Sequence, residues 1–338
     1  VIEVDGKPLG PLTSLIDPEE KRALIGNMFI KVTADACKEL NLDFSKTYLA
    51  QGTLRPDLIE SGNPDVSGYA NKIKTHHNDV NVVREARARG MVVETNWDWH
   101  KDEVRQIARM LGIDEEIASR QPFPGPGLGV RMICNEGEPV ISDEDRASFD
   151  KAVAEFVPDK YQVQIAPLRS VGVQGDYRSF RHLSVLNGSG LQNADWEEIH
   201  QIARSVPNNT TAVNRMGYVL NSGKDLSAGI KAHTMHMNKQ DLDLLREVDH
   251  LVTASLKNKK ISQTFAVMCP IGITGKRSVA IRAIVTNDFM TGRPAMVGKD
   301  IEPAEFEYIV KEIEANFPEI DLVMYDVTGK PPATVEWE

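Results

Sequence analysis

The sequence predicts an α/β protein in two parts, an alternating helix and strand portion followed by a duplicated α+β domain of order αββαβ. Three observations carry this. Short apolar runs such as TYLAQGT and MVVE alternate with segments whose apolar residues recur at helical spacing. A stretch rich in proline and glycine, Arg120 to Val130, then interrupts the alternation. Beyond it the same order of elements occurs twice, with a period of roughly one hundred residues, too long for a solenoid. The expected boundaries are 1–119 and 120–338, with lobes at about 131–224 and 239–338.

A length of 338 residues allows two or three cores of about 100–150 residues each. The net charge of −10, without a long basic run, argues against a nucleic-acid or anionic-membrane surface but permits a basic pocket for a small anion. No stretch approaches the ~18 apolar residues of a membrane span and no signal-peptide pattern is seen, so a cytoplasmic protein is expected. Cys37, Cys134 and Cys269 are odd in number and lack CxxC spacing, which predicts core thiols rather than a disulfide frame or zinc site.

From Asp17 the chain reads as a helix with acids in its first turn and Leu24, Ile25, Met28, Phe29, Val32 and Ala36 on an inward face. TYLAQGT follows as a buried strand closed by a turn at Gly52. If Pro56 starts a short helix, Asp57 and Glu60 share one face at the C-terminal end of that strand, where open α/β sheets place ligands. The same acids fit equally a first turn stabilised by the helix dipole. GNPDVSGYAN then leads to Lys74, His76 and His77, a cationic loop tip with no evident packing role, read as a lid. After the strand MVVE comes a helix that opens with Lys101 and Asp102 and carries Val104, Ile107, Ala108 and Leu111 as its apolar stripe.

RQPFPGPGLGV holds three prolines and three glycines, so it forms a stiff, turned connector with backbone amides open to a ligand. Composition alone favours an interdomain linker. In the duplication, Gly172 and Gly175 match Gly272 and Gly275, while Trp196, Ile199, Ala203 and Val206 match Phe306, Ile309, Ile313 and Phe317. Two such lobes are expected to leave a cleft between them. The last nine residues, KPPATVEWE, are charged enough for a solvated tail, but a frayed tail rarely carries a residue like Trp337.

RQPFPGPGL and KPPATVEWE resemble the GMP synthetase family, at the joint after its ATP-pyrophosphatase domain and at its C-terminus. The resemblance extends through Gln51-Gly52-Thr53, Pro56-Asp57, Lys74-Thr75-His76-His77, Lys101-Asp102-Glu103-Val104-Arg105, SVGVQGDYRS, KISQ and RSVAIRAIVTNDFMTG, and it favours the larger, two-lobed form. It implies that 1–119 is the C-terminal half of an adenine-nucleotide α-hydrolase-like (Rossmann-like) parallel-sheet domain. Residues 120–338 would be the dimerisation and XMP-binding domain. The implied reaction is adenylation of the XMP C2 oxygen by Mg-ATP, with release of pyrophosphate, then displacement of AMP by ammonia. The resemblance places Asp57, Glu60, Lys74, His76, His77, Lys101 and Asp102 in catalysis, with Mg²⁺ on Asp57 and Glu60. It gives Arg120, Gly125, Gly127, Arg178, Gln263, Lys330 and Glu336 to XMP, the tail folding back toward Gly125 to Gly127. Besides XMP and ATP, the implied partners are an ammonia-supplying glutaminase domain or subunit and a second copy of the chain in a homodimer, with no nucleic acid and no membrane.

Three departures qualify this. The chain starts at Val1 and shows neither a glutaminase domain nor the family's Ser-Gly-Gly-Val-Asp-Ser phosphate loop, so a C-terminal portion that binds XMP without turning over ATP is expected. Glu94-Thr95-Asn96-Trp97 stands where relatives have Glu-Pro-Leu. Leu322 occupies the place of an arginine that helps hold the XMP phosphate, a charge that Arg178, or Arg215 at the matching place in the first repeat, would supply across the cleft. The rival readings are a catalytically incomplete XMP-binding or dimerisation scaffold and another pyrophosphatase-loop ligase, such as an NAD synthetase or a tRNA-thiolating enzyme.

Overall fold

A computed structural model describes residues 2–4, 6–43, 46–55, 58, 81–121, 125–174, 177–188, 190–257, 260–286 and 291–338. They fall into two compact units, Val1–Val130 and Arg131–Glu338.

In the first unit, strands β1 (Ile2–Val4) and β2 (Lys7–Leu9) pair antiparallel. Helix α1 (Pro18–Glu39) starts where the Asp17 carboxylate accepts the Glu19 and Glu20 N–H groups at 2.9 Å and Pro18 supplies a preset φ. Strands β3 (Leu49–Ala50) and β4 (Val92–Val93) pair in parallel, with α2 (Asn81–Ala88) between them in sequence. Helices α3 (Lys101–Met110) and α4 (Glu115–Ala118) follow. One expectation fails here. Leu24 is buried, but Met28, Phe29 and Val32 of the supposed inward face of α1 are exposed, as is Leu111 beyond α3.

The second unit contains both repeats. Its helices are α5 (Asp143–Phe156), α6 (Trp196–Asn208), α7 (Lys239–Ser255) and α8 (Pro303–Asn316). The first three are capped by Ser142, Asp195 and Asn238, whose side-chain oxygens accept an N–H of the first turn. In the first repeat β5 (Gln162–Gln174) pairs antiparallel with β6 (Tyr177–Asn187), and β6 pairs in parallel with β7 (Val213–Val219) across the α6 crossover. The two-residue strand β8 (Lys231–Ala232) follows. The second repeat matches this with β9 (Gln263–Cys269), β10 (Ile271–Gly272), β11 (Arg277–Val285) and, after the short β12 (Arg293–Pro294), β13 (Ile320–Asp326).

The repeats do not form two lobes around a cleft. β7 and β13 pair antiparallel, placing Tyr218 opposite Tyr325 and Val219 opposite Met324, so both repeats join one seven-stranded sheet. Sequentially equivalent tyrosines meet at the junction, which makes it a pseudo-two-fold axis. Trp196 packs edge-on to Tyr218 with ring centroids 5.3 Å apart, and Phe306 meets Tyr325 at 4.8 Å, so α6 and α8 cover this face. Alternate residues point the other way: Val185, Phe265, Val267, Leu322 and Met324 form a second core with Ile133 and Trp337. Fully burying each such side chain contributes roughly 1.5–3 kcal/mol. The three cysteines are buried and free, as the sequence predicts.

Candidate functional site

The C-terminal nine residues are folded in, not solvated. Ala333 and Trp337 have no exposed surface and Glu338 is 3% exposed. The tail crosses the edge of β5: Val173 N–H donates to Pro332 O (2.7 Å), Gly172 bridges Ala333, and Val171 N–H donates to Trp337 O (2.8 Å). Gly172 has to be glycine, since a Cβ there would lie 2.6 Å from Pro332 O and 2.7 Å from Asn214 Nδ2. At its start the tail is held by the second repeat, where Lys330 and Gly292 exchange backbone hydrogen bonds of 2.8 and 3.0 Å.

This path brings several predicted residues near one another in the strand network. Arg178 is register partner of Val173, the residue that holds Pro332. Gln263, almost buried, is register partner of Ile284, against which Gly292 packs. Lys330 and Glu336 lie on the tail itself, half-buried. Glu336 is close enough to Arg131 for its charge to act on that guanidinium, which burial holds below its ordinary range against the opposing pull of Asp249 and Glu336. Beside the β5–β6 hairpin, a cavity of about 630 Å³ is lined by Gln174, Arg178, Ser179 and Arg181, and by Ser148 and Thr210. Among the described residues its wall has two arginines and no carboxylate. The His182 ring nearby is held below its usual range by burial and by Arg169.

Arg215 is not available to a ligand. Wholly buried, it donates from Nη1 to Asp326 Oδ2 (2.5 Å), and Arg282 Nη1 approaches Asp326 Oδ1 at 3.0 Å. Trp337 Nε1–H also donates to Asp326 Oδ2 (3.0 Å). The two guanidiniums reach on to the tail, where both donate to Thr334 O, at 3.2 and 3.1 Å, and Arg215 also to Glu336 O at 3.2 Å. Sequence reasoning missed this cluster. Its signal was a charged residue inside otherwise apolar strands, Arg282 in RSVAIRAIV and Asp326 in LVMYDV.

The second repeat has a related feature that sequence reasoning also missed. Asp321, 3% exposed, accepts from Ile273 N–H (2.6 Å), Thr274 N–H (2.7 Å) and Thr274 Oγ1–H (3.0 Å), and pairs with Lys224 Nζ at 3.1 Å. Burial raises its pKa, but these donors outweigh it and hold the carboxyl below the usual range. Counting from the facing tyrosines, the counterpart of Asp321 is the neutral Asn214, which bonds Ser170 and Ser179.

The other predicted residues lie in the first unit or outside the described residues. Lys101 and Asp102 open α3, where Glu103 accepts the His100 N–H at 2.7 Å. Arg120 O accepts from Arg105 Nη2 (3.0 Å), and Gly127, with φ of 62°, takes the left-handed conformation that favours glycine. Gly125 stands in the adjoining turn. Asp57, Glu60, Lys74, His76 and His77 lie outside the described residues, and among those described no group of three or more His, Cys, Asp or Glu is arranged for a metal. At the altered turn, Glu94 accepts from Arg87 (2.8 Å) and from Thr53 Oγ1 (2.6 Å), while Trp97 and Trp99 are exposed. No helix among the described residues is long and apolar enough to cross a membrane.

The GMP synthase C terminal domain family matches residues 249–337, within the second repeat and its tail. A GMP synthase [glutamine-hydrolyzing] of Dictyostelium discoideum is 37% identical, covering 99% of this chain and 52% of its own length. A probable GMP synthase of Caenorhabditis elegans is 32% identical over 95% of the chain and 52% of its own length, and a GMP synthase of Thermosipho africanus is 37% identical over 66% of the chain. The chain spans about half the length of the first two. It therefore carries a GMP synthase C-terminal domain and is similar, along nearly all its length, to about half of a GMP synthase.

Proposed function

We propose that this chain is the XMP-binding and ligase portion of a glutamine-hydrolysing GMP synthase, acting in ATP-dependent amination of XMP to GMP. One observation carries the reading. The cavity beside the β5–β6 hairpin is lined by the guanidiniums of Arg178 and Arg181 together with Gln174, Ser148 and Thr210, a set of donors that suits an anion. A nucleoside monophosphate carries a phosphate that such a wall would hold.

In this reading Lys330 and Arg178 hold the phosphate, Gln263 and Glu336 orient base or ribose, and Arg120 with the Gly125 to Gly127 turn contributes backbone donors. Lys74 is assigned to the charge of the ATP phosphates and His76 or His77 to charge or proton transfer at the α-phosphorus, with Lys101 and Asp102 among the catalytic residues. Mg²⁺, assigned to Asp57 and Glu60, would neutralise pyrophosphate charge. The C2 oxygen of XMP attacks the α-phosphorus and pyrophosphate leaves; ammonia then attacks C2 and AMP leaves. Exclusion of water protects the adenylate between these steps. Ammonia comes from a glutaminase domain or subunit, and the assembly is a cytoplasmic one, as monomer or homodimer.

The test is a calorimetric titration of the 338-residue chain with XMP, IMP and ATP, combined with an assay of XMP- and ammonia-dependent pyrophosphate release. Binding of XMP in preference to IMP is expected, since only XMP carries the C2 oxygen on which the proposed reaction begins, and pyrophosphate release decides whether the chain by itself performs the adenylation. Absence of XMP binding rejects the reading.

A further inference from the structure

The buried cluster of Arg215, Arg282, Asp326 and Trp337 has a property that packing does not require. The two halves of the sheet are related by the Tyr218–Tyr325 pair, so each member can be compared with its counterpart on the other side. Arg215 corresponds to Leu322 and Asp326 to Val219, both apolar and buried. Arg282, one position beyond the Ile281 that pairs Tyr325, corresponds to Asn187, one beyond the Leu186 that pairs Tyr218. The segment that crosses the sheet on that side packs Leu226 and Ile230 into the core and pairs with Gly272 through Lys231, as the tail pairs with Gly172. At these three matched positions the architecture thus carries apolar residues and a neutral amide on one side, and two arginines sharing a carboxylate on the other.

Buried ion pairs are weak contributors to stability compared with apolar residues of similar volume, because desolvation offsets their attraction. What they supply is direction. Arg215 and Arg282 aim donors at Thr328 O, Thr334 O and Glu336 O, and Asp326 fixes the Trp337 indole. An apolar contact tolerates sliding, whereas these bonds set the path of the tail residue by residue.

We propose that Arg215, Arg282 and Asp326 are positioning residues: they touch no ligand, but fix the tail so that Lys330 and Glu336 sit where XMP is read. This rests on the function proposed above, and its test separates the two. In the 338-residue chain, Trp337→Phe removes one hydrogen bond and keeps an aromatic ring, while the triple variant Arg215→Leu, Arg282→Asn, Asp326→Val imports the residues of the opposite side and removes all three charges of the cluster together. Amide hydrogen exchange of residues 328–338, measured against β7, is compared with XMP affinity. Both variants are expected to keep the parent's melting temperature within a few degrees and its slow exchange in β7, yet to exchange about 10-fold faster in the tail and to bind XMP about 10-fold more weakly. Tail exchange as slow as the parent's in the triple variant overturns the proposal, and so does a loosened tail with undiminished XMP affinity. If the parent itself does not bind XMP, the assignment of the ligand fails, while the exchange measurement still decides whether the cluster fixes the tail. Loss of β7 protection along with the tail shows a general structural role and also overturns it.

Discussion

Tyr218 and Tyr325 face each other across the strands that join the two repeats, both fully buried. Burial pushes the Tyr218 phenol up to about 12 and the Tyr325 phenol higher still. Both stay protonated, Tyr325 donating to Ala295 O at 2.6 Å and Tyr218 to Gly190 O at 3.2 Å. Because the pair relates the halves of the sheet, substitutions at matched positions should differ in ways that reveal what each half does.

Gly172→Ala and Gly272→Ala form the first such pair. A Cβ at Gly172 would meet Pro332 O at 2.6 Å, and one at Gly272 would collide with Lys276 O and meet Asp321 Oδ2 at 2.8 Å. Each should cost about 1–3 kcal/mol by overpacking, measured by urea denaturation. Only Gly172→Ala should weaken XMP binding, because only there does the displaced atom belong to the tail.

Asp321→Asn should destabilise the second unit by about 1–3 kcal/mol, since Lys224 and two backbone N–H groups lose a charged acceptor. XMP affinity should remain as in the parent. A variant as stable as the parent in thermal denaturation would show that the carboxylate charge contributes nothing there.

Leu322→Arg, which restores the arginine of the resembling family, should not restore phosphate binding. Leu322 is fully buried in the core with Ile133, Phe265 and Trp337, and an arginine there would bury an unpaired charge. A loss of about 3 kcal/mol or more is expected in urea, with no gain in XMP affinity by calorimetry.

Stability should fall on mild acidification. Burial pushes His200 down to about 4, and His182 and His233 shift in the same direction for the same first cause. The unfolded ring takes its proton near its ordinary pKa of about 6.5, whereas the folded ring resists until about pH 4. Stability is therefore full above about pH 6.5 and is lost as pH falls toward 4, His200 accounting for about 2–3 kcal/mol across that window. Urea midpoints at several pH values check this, and His200→Leu should flatten the slope. An unchanged slope in that variant would assign the effect elsewhere.

Most of what the sequence determined about this protein is local. The helix starting from Asp17, the apolar stripes of α6 and α8, the matched Gly172 and Gly272 and the buried cysteines were all legible, because each depends on residues a few positions apart or on side-chain polarity alone. The pairing of equivalent tyrosines was not, since it joins strands more than one hundred residues apart and rests on a register that either repeat taken alone leaves open. That register turned an expected cleft into one sheet and took Arg215 from the ligand to Asp326. The tertiary structure also decided the fate of the tail: its charges suggested solvent, but strand edges at Gly172 and Gly292 satisfy its backbone, and a pocket for the Trp337 ring exists only once both repeats have joined.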